Sequence, residues 1–146
     1  QGNRREEDCQ RMIYMLDSNI LRHYVQDMDA PGKIMPRFER IGIKNIVVSS
    51  IAAHELMVFL LNLKVAQKAR QELAALLSWF HVLPFDERAA FEAANIEHEL
   101  RARGQVIGKS DTLIAGHACG LGFTVVTNNT REFNRVKGLA VDNWLV

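Results

Sequence analysis

The sequence contains few cysteines and no long hydrophobic run. Its two cysteines, Cys9 and Cys119, are too few and too isolated for a disulfide framework or a zinc site, so we expect both thiols to be reduced. No stretch approaches the roughly 20 uncharged apolar residues that span a membrane, and residues 1–10 are too polar for a secretory signal. These absences predict a cytoplasmic protein without membrane contact.

The sequence also lacks the short motifs of several enzyme classes. It has no glycine-rich phosphate loop, no GxGxxG dinucleotide fingerprint and no serine–histidine–acid arrangement. The missing phosphate loop disfavours a small-molecule-binding α/β domain. The net charge is only +1, so no global basic field indicates nucleic acid, and only the local distribution of charge can do so.

The sequence does show a regular alternation of predicted strands and helices. The 146 residues suit one domain, assigned to residues 12–146 after a polar N-terminal extension over residues 1–11. Short apolar segments alternate with helical ones, which predicts an α/β domain with a mostly parallel sheet covered on both faces. The Pro31-Gly32 pair predicts a break before a second helix over residues 34–40. The predicted strands are residues 12–16, 45–49, 81–85, 123–127 and 139–141.

Two acidic residues lie where a charge is hard to explain by solubility alone. Asp17 follows directly on the first apolar strand, and Ser18 or Asn19 could cap the next helix in its place. Glu55 lies in the helical segment IAAHELMVFLL, with apolar residues three and four positions away on both sides. A carboxylate there is costly unless it is paired, hydrogen-bonded or bound to metal. A snorkelling or salt-bridged Glu55 is the alternative.

Two further acidic residues lie on either side of the fourth predicted strand. Asp111 is in the first turn of a predicted helix, where the helix dipole favours a carboxylate with or without a function. Glu132 follows the strand in the segment TNNTREF, where Thr130 could cap a short helix. Asn128 and Asn129, which precede it, either shape the turn or hydrogen-bond a phosphate or a metal-bound water.

These four acids are expected to converge, because ligands of such a sheet bind outside the carboxyl ends of its strands. Converging carboxylates raise one another's pKa, and a hard divalent cation relieves their repulsion. Oxygen ligands without cysteine or a suitable histidine indicate Mg²⁺ or Mn²⁺ rather than Zn²⁺. His117 lies about 120° round the helix from Asp111 and is expected to pack or hydrogen-bond within the domain. A site of this kind can hydrolyse a phosphodiester with activated water.

Four segments, in this order and spacing, resemble the PIN domain of VapC-type toxins from bacterial type II toxin–antitoxin pairs. They are MLDSNI, SSIAAHEL, IGKSDTLIAGHA and TVVTNNTREFNRVKGL, and the resemblance covers residues 12–146. A lone LDSN would be weak, whereas four motifs in order are highly specific. The family usually has threonine where this chain has Ser18, and the hydroxyl group is retained.

The resemblance implies a three-layer α/β/α fold and a catalytic site that holds Mg²⁺ or Mn²⁺. It implies that Asp17, Glu55 and Asp111 are metal ligands, with Glu132 as the fourth catalytic acid. Some relatives carry an aspartate where Asn128 and Asn129 stand. The implied reaction is hydrolysis of an RNA phosphodiester that leaves a 5′-phosphate and a 3′-hydroxyl. The supporting polar residues would be Ser18, Asn19, Asn128 and Asn129.

The resemblance also implies partners. They are a VapB-like antitoxin whose tail covers the active site, a second copy of the chain in a homodimer, and an RNA substrate. The GHA and TNNTREF segments are especially close to VapC toxins that cut the anticodon stem-loop of initiator tRNA, so tRNA is the expected substrate. Operator DNA would be bound only through the antitoxin.

Basic residues near the predicted site could contact RNA phosphates, although ordinary solubilising charge is the alternative. The apolar residues around Glu55 exceed one buried helix face, which indicates an interface. A second functional hypothesis is a non-catalytic PIN-like module that binds RNA or protein without cleaving it. The RNA-binding candidates are Lys109, Arg131 and Arg135.

Overall fold

Short strands and helices alternate along the chain. The computed structural model describes residues 12–26, 30–63 and 67–146, so the predicted extension at residues 1–11 lies outside it. No helix within these ranges is long and apolar enough to cross a bilayer. The helices are α1 (Ser18–Gln26), α2 (Ala30–Ile41), α3 (Ser50–Leu61), α4 (Gln67–Ser78), α5 (Glu87–Ala102), α6 (Lys109–Leu121) and α7 (Thr130–Phe133). The strands are β1 (Tyr14–Leu16), β2 (Ile46–Ser49), β3 (His81–Leu83), β4 (Thr124–Val126) and β5 (Val141–Asp142), and a 3-10 turn, Ile43–Asn45, precedes β2.

The five strands form one parallel sheet in the order β3-β2-β1-β4-β5. The first strand is therefore central, and Tyr14 pairs with Ile46 on one side and with Thr124 on the other. Because crossovers between parallel strands are right-handed, α1 to α4 cover one face of the sheet and α5 to α7 cover the other. The predicted three-layer α/β class is confirmed.

The core lies on both faces of the sheet and is closed by a tryptophan beyond β5. Met15, Leu16 and Val48 are completely buried, which is why the strands are continuous apolar runs rather than alternating ones. Trp144 is 1% exposed, and its ring centroid lies 5.4 Å from that of Tyr14 and 6.0 Å from that of Phe38. This aromatic cluster joins the central strand to α2 and to the segment after β5.

Helices α5 and α6 touch at a glycine. A Cβ built on Gly116 would lie 2.5 Å from the backbone nitrogen and Cα of Ala93, and 2.6 Å from its Cβ. Non-bonded carbon atoms pack at about 3.5–4.0 Å, so only glycine allows this approach. Since α6 also carries Asp111, the contact helps to fix the position of a predicted site residue.

Several details differ from the sequence-based predictions, among them β1 and β3, which are shorter than predicted. Pro31-Gly32 does not break the chain but lies in the first turn of α2, where a helix needs no hydrogen bond from a proline nitrogen. Helix α7 begins at Thr130 itself and Asn129 precedes it, so the capping role suggested for Thr130 is wrong. The last strand is Val141–Asp142 rather than residues 139–141.

Part of α3 remains uncovered. Met57 and Leu61 are 50% and 64% exposed. Together with Ala74 and Leu77 they line a groove of about 190 Å³ between α3 and α4. The surplus apolar surface predicted for this helix is therefore present.

Candidate active site

Two strand ends meet where the chain reverses its course across the sheet. From the central β1 the chain passes to β2 on one side, while β4 lies on the other side and leads to β5. In open parallel sheets such a switch point forms the crevice that binds ligands. Asp17 follows β1 and Thr127 follows β4, and the backbone N–H of Asp17 donates to the carbonyl oxygen of Val126 at 2.9 Å. The two side chains therefore start from neighbouring positions.

Asp17 is buried, and both of its carboxylate oxygens accept hydrogen bonds. The residue is 2% exposed. Its Oδ1 accepts from the backbone N–H of Ser18 at 2.7 Å, and its Oδ2 accepts from Thr127 Oγ1 at 2.9 Å. Burial, with a smaller contribution from the charge of Glu55, raises the pKa of Asp17 to about 6, and the two hydrogen bonds limit the rise. Asp17 thus accepts a hydrogen bond from the first residue of α1, and its burial makes the carboxyl group costly to ionise.

Glu55 approaches Asp17 from α3. Ser18 Oγ donates to Glu55 Oε1 at 3.3 Å, and the charge of Glu55 contributes to the raised pKa of Asp17. Within the described residues Glu55 forms no ion pair with a basic side chain, so the salt-bridged alternative is not what the structure has. The carboxylate of this apolar helix is directed to the crevice.

Asp111 and Glu132 interact at the start of α6. Burial, the charge of Asp17 and the hydrogen bond with Glu132 together raise the pKa of Asp111 to about 7. The pKa of Glu132 is lowered, mainly by its hydrogen bond with Asp111. The backbone N–H of Gly108 donates to Glu132 Oε2 at 3.4 Å. The opposite directions mean that Asp111 is the more readily protonated acid of the pair.

Asp111→Asn is expected to stabilise the metal-free protein. Asparagine mimics the protonated acid, because its Oδ1 can accept from Asn129 Nδ2, as Asp111 Oδ2 does at 3.0 Å, while its amide donates to Glu132. At about pH 8, where Asp111 is ionised, we expect the variant to unfold roughly 3–6 °C above the wild type.

The size of this effect should depend on pH. The pKa of Asp111 is about 7 in the folded chain against an ordinary value of 3.8, so protonation favours folding. Its contribution to stability is fully present below pH 3.8 and is lost as the pH rises to about 7. Calorimetry in EDTA should therefore find a smaller difference in unfolding temperature between Asp111→Asn and the wild type at about pH 5 than at about pH 8. Equal differences at both pH values would contradict the raised pKa.

The two predicted asparagines after β4 have different surroundings. Asn129 contacts the acids, since its Nδ2 donates to Asp111 Oδ2. The side chain of Asn128 faces away from them, with Nδ2 3.4 Å from His23 Nε2 and Oδ1 3.4 Å from Asn143 Nδ2. Of the pair, only Asn129 is placed to orient a carboxylate.

Thr127 is a site residue that the sequence analysis missed. Its Oγ1 donates to Asp17 and accepts from the backbone N–H of Asn129 at 2.9 Å and from Asn19 Nδ2 at 3.4 Å. Asn19 Oδ1 in turn accepts from the backbone N–H of Asn128 at 3.2 Å. One buried hydroxyl therefore ties β1 and α1 to the turn before α7. The available signal was its position directly after β4, equivalent to that of Asp17 after β1.

The three basic residues predicted to bind RNA have different surroundings. Lys109 Nζ lies 3.3 Å from Glu97 Oε1, so this side chain is directed to α5 rather than to the acids. Arg135 donates to a backbone carbonyl oxygen at 3.1 Å, and its charge helps to lower the pKa of Glu132. Arg131 is exposed. Of these three residues, only Arg135 has a charge that acts on one of the acids.

His117 lies outside the acid cluster, as predicted. It is 2% exposed, its Nδ1 lies 2.8 Å from Ser49 Oγ, and its ring meets that of Phe85 edge-on at 5.5 Å. Burial lowers the pKa of His117, which favours the neutral ring. The histidine is therefore a packed, hydrogen-bonded group of the domain interior.

The four acids form a row of pairwise interactions. The charge of Glu55 raises the pKa of Asp17, the charge of Asp17 raises that of Asp111, and Asp111 hydrogen-bonds Glu132. Over residues 12–26, 30–63 and 67–146, no three Asp, Glu, His or Cys side chains are already arranged to hold a metal ion. The candidate ligands are nevertheless all carboxylate oxygens, which Mg²⁺ and Mn²⁺ prefer.

Comparison with known proteins identifies the family. The PIN domain family model matches residues 14–139, a range that includes all four acids. The chain belongs to the PIN domain family. A curated PIN relative, ribonuclease VapC2 of Rickettsia felis, is 34% identical over 134 residues, or 91% of this chain and 98% of the relative. The tRNA(fMet)-specific endonuclease VapC of Shigella flexneri is 33% identical over 131 residues, or 90% of this chain and 97% of the relative.

A solved PIN structure has the same fold. In the crystal structure of DNA-bound VapBC from Salmonella typhimurium, the matched chain has a TM-score of 0.84 and 32% sequence identity. The match covers 91% of this chain and 98% of that chain. The resemblance to VapC-type PIN domains, inferred from four sequence motifs, is therefore confirmed.

Proposed function

We propose that this protein is a metal-dependent endoribonuclease, the toxin of a type II toxin–antitoxin pair. The observation that carries the proposal is the buried carboxylate of Asp17, whose pKa is about 6 and which Glu55 and Asp111 flank. Within the described residues, none of these three acids forms an ion pair that would offset the charge. Perturbed carboxyl groups at the switch point of a parallel sheet favour a functional site. The two curated relatives, both nucleases by name, support RNA cleavage.

Asp17, Glu55 and Asp111 would hold Mg²⁺ or Mn²⁺, with Glu132 as the fourth acid. The ion would activate water and stabilise the charge that develops on the phosphodiester oxygens. The chain's own contribution is orientation. Thr127 and the Ser18 N–H fix the two oxygens of Asp17, and Asn129 fixes one oxygen of Asp111. Hydrolysis would leave a 5′-phosphate and a 3′-hydroxyl.

We infer that the substrate is tRNA, and initiator tRNA in particular. The support is the 33% identity to an endonuclease named as specific for tRNA(fMet). A protein recognises an RNA loop through its shape and its unstacked bases, while basic side chains contact the phosphates. Arg131 and Arg135 are the candidates for those contacts, and Lys109 could join them only by leaving Glu97.

We further infer a VapB-like antitoxin that covers the active site, and a homodimer. The support for the antitoxin is the likeness to the VapBC complex, and the DNA in that complex agrees with operator binding through the antitoxin. The exposed Met57 and Leu61 of α3 offer apolar area to a partner or a second copy.

Divalent metal is expected to switch RNA cleavage on. The purified chain, free of antitoxin, is incubated with initiator tRNA and a panel of elongator tRNAs, in Mg²⁺, in Mn²⁺ and in EDTA, and the product ends are sequenced. We expect cleavage in the anticodon stem-loop of initiator tRNA with metal and none in EDTA. The metal should also stabilise the fold, by about 2.7 kcal/mol at a hundredfold excess over Kd.

The arms of this experiment separate the parts of the proposal. Cleavage that persists in EDTA would contradict metal dependence. Equal cleavage of all tRNAs would contradict specificity for initiator tRNA but would agree with the proposed nuclease activity. RNA binding without cleavage, with metal present and antitoxin absent, would favour the non-catalytic module instead.

A further inference from the structure

The buried histidine of α6 has no part in the mechanism above. His117 and Ser49 are separated by 68 residues in sequence, yet Nδ1 and Oγ lie 2.8 Å apart and both side chains are buried. Ser49 Oγ also accepts from the backbone N–H of Ile51, so the same hydroxyl caps α3. Breaking such a pair would leave buried polar groups unsatisfied, so it holds the joined elements firmly together.

The pair is separated from two of the acids by the same number of residues. Glu55 follows Ser49 by six residues and Asp111 precedes His117 by six residues. Six residues are about 9 Å along a helix. Helices α3 and α6 are in contact, and their two carboxylates flank Asp17. The relative placement of these helices therefore determines how far apart the two carboxylates stand.

We propose that the His117–Ser49 hydrogen bond positions Glu55 and Asp111 for joint metal binding, an inference that rests on the proposed function. Among the described side chains, no other hydrogen bond joins β2 or α3 to α6. The edge-on contact with Phe85 restrains the ring with Nδ1 towards Ser49. His117 touches none of the reacting groups and is a positioning residue. Groups that orient metal ligands from outside are commonly worth 10–100-fold in metal affinity, as an order of magnitude.

The test compares two substitutions of His117. One keeps the packing and loses the hydrogen bond, and the other keeps the hydrogen bond and loses packing. His117→Leu keeps apolar volume but removes the hydrogen bond. His117→Asn leaves a gap, but its amide stands nearly where Nδ1 does and can bond Ser49. The affinity for Mn²⁺ is measured by titration calorimetry at a temperature at which all variants are folded. His117→Asn should bind Mn²⁺ with the wild-type Kd, whereas His117→Leu should have a Kd roughly 10–100-fold higher. The KM for RNA at saturating metal should be unchanged in both.

A stability control uses the next residue of the same helix. Ala118→Gly should lower the thermal midpoint by roughly 3 °C and leave the Mn²⁺ Kd unchanged. If the Kd of all three variants simply follows their stability, or if His117→Leu binds Mn²⁺ like the wild type, the positioning role is wrong while the nuclease proposal stands. If the wild-type chain itself binds no Mn²⁺, both proposals fail together.

Discussion

Asp17→Asn is expected to reduce RNA cleavage roughly 10²–10³-fold or more while the fold remains intact. Asp17 is the acid that both Glu55 and Asp111 flank, so its loss removes a charge from the middle of the row. The amide also fits its surroundings badly. Thr127 Oγ1 needs an acceptor at Oδ2, because it already accepts from Asn129 and Asn19. Folding should not suffer in the same way, because asparagine has no charge to bury.

The measurement is the initial rate of tRNA cleavage at saturating metal, with circular dichroism and thermal midpoints to verify folding. Asp86→Asn is a matched control, since it removes the same charge from a helix cap. Asparagine caps as well as aspartate, and can accept from the Ala89 N–H as Asp86 Oδ1 does at 3.0 Å. The control should cleave at the wild-type rate. An Asp17→Asn variant that keeps more than about a tenth of that rate would contradict the assigned role.

Gly116→Ala should destabilise the fold strongly by adding a single methyl group. The new Cβ would lie 2.5 Å from backbone atoms of Ala93, and backbone cannot turn aside as a flexible side chain can. We expect a loss of about 2–4 kcal/mol in the free energy of unfolding, after the gain of about 1 kcal/mol that alanine brings to a helix. The thermal midpoint should fall by roughly 6–12 °C.

Gly120→Ala is the control on the same helix, one turn later. Its Cβ would meet Glu92 Cγ at 3.3 Å and Arg88 Cγ at 3.7 Å, which belong to flexible side chains. Helix propensity should then decide, and the variant should be neutral or up to about 1 kcal/mol more stable. Denaturant unfolding of both variants measures the contrast. A Gly116→Ala variant as stable as Gly120→Ala would mean that α5 and α6 do not touch at Gly116.

The fold class and the gathering of the acids could be predicted because both follow from topology. Buried parallel strands are short apolar runs between helices, and their carboxyl ends lie at one sheet edge. Asp17 was therefore locatable from its position after β1. Whether the acids form a row or a closed cage could not be predicted, since that depends on side-chain conformations of residues distant in sequence.

The errors have local physical reasons. The Pro31-Gly32 pair is typical of a break, although proline is acceptable in a first helical turn. Asn128 and Asn129 could not be distinguished, because a turn directs adjacent side chains to different sides. The partner of Lys109 is Glu97, on another helix, so no local pattern indicates it. Thr127 ends an apolar segment, where a β-branched residue is typical of the strand itself.

The central position of the first strand has a consequence for synthesis. A chain emerging from the ribosome exposes β1 early, but this strand needs β4 as its second neighbour. The hydrogen bond from Thr127 to Asp17 spans 110 residues. The crevice can therefore assemble only after most of the polypeptide has been translated. A protein proposed to cleave RNA would thus lack its crevice until β4 and Thr127 have been synthesised.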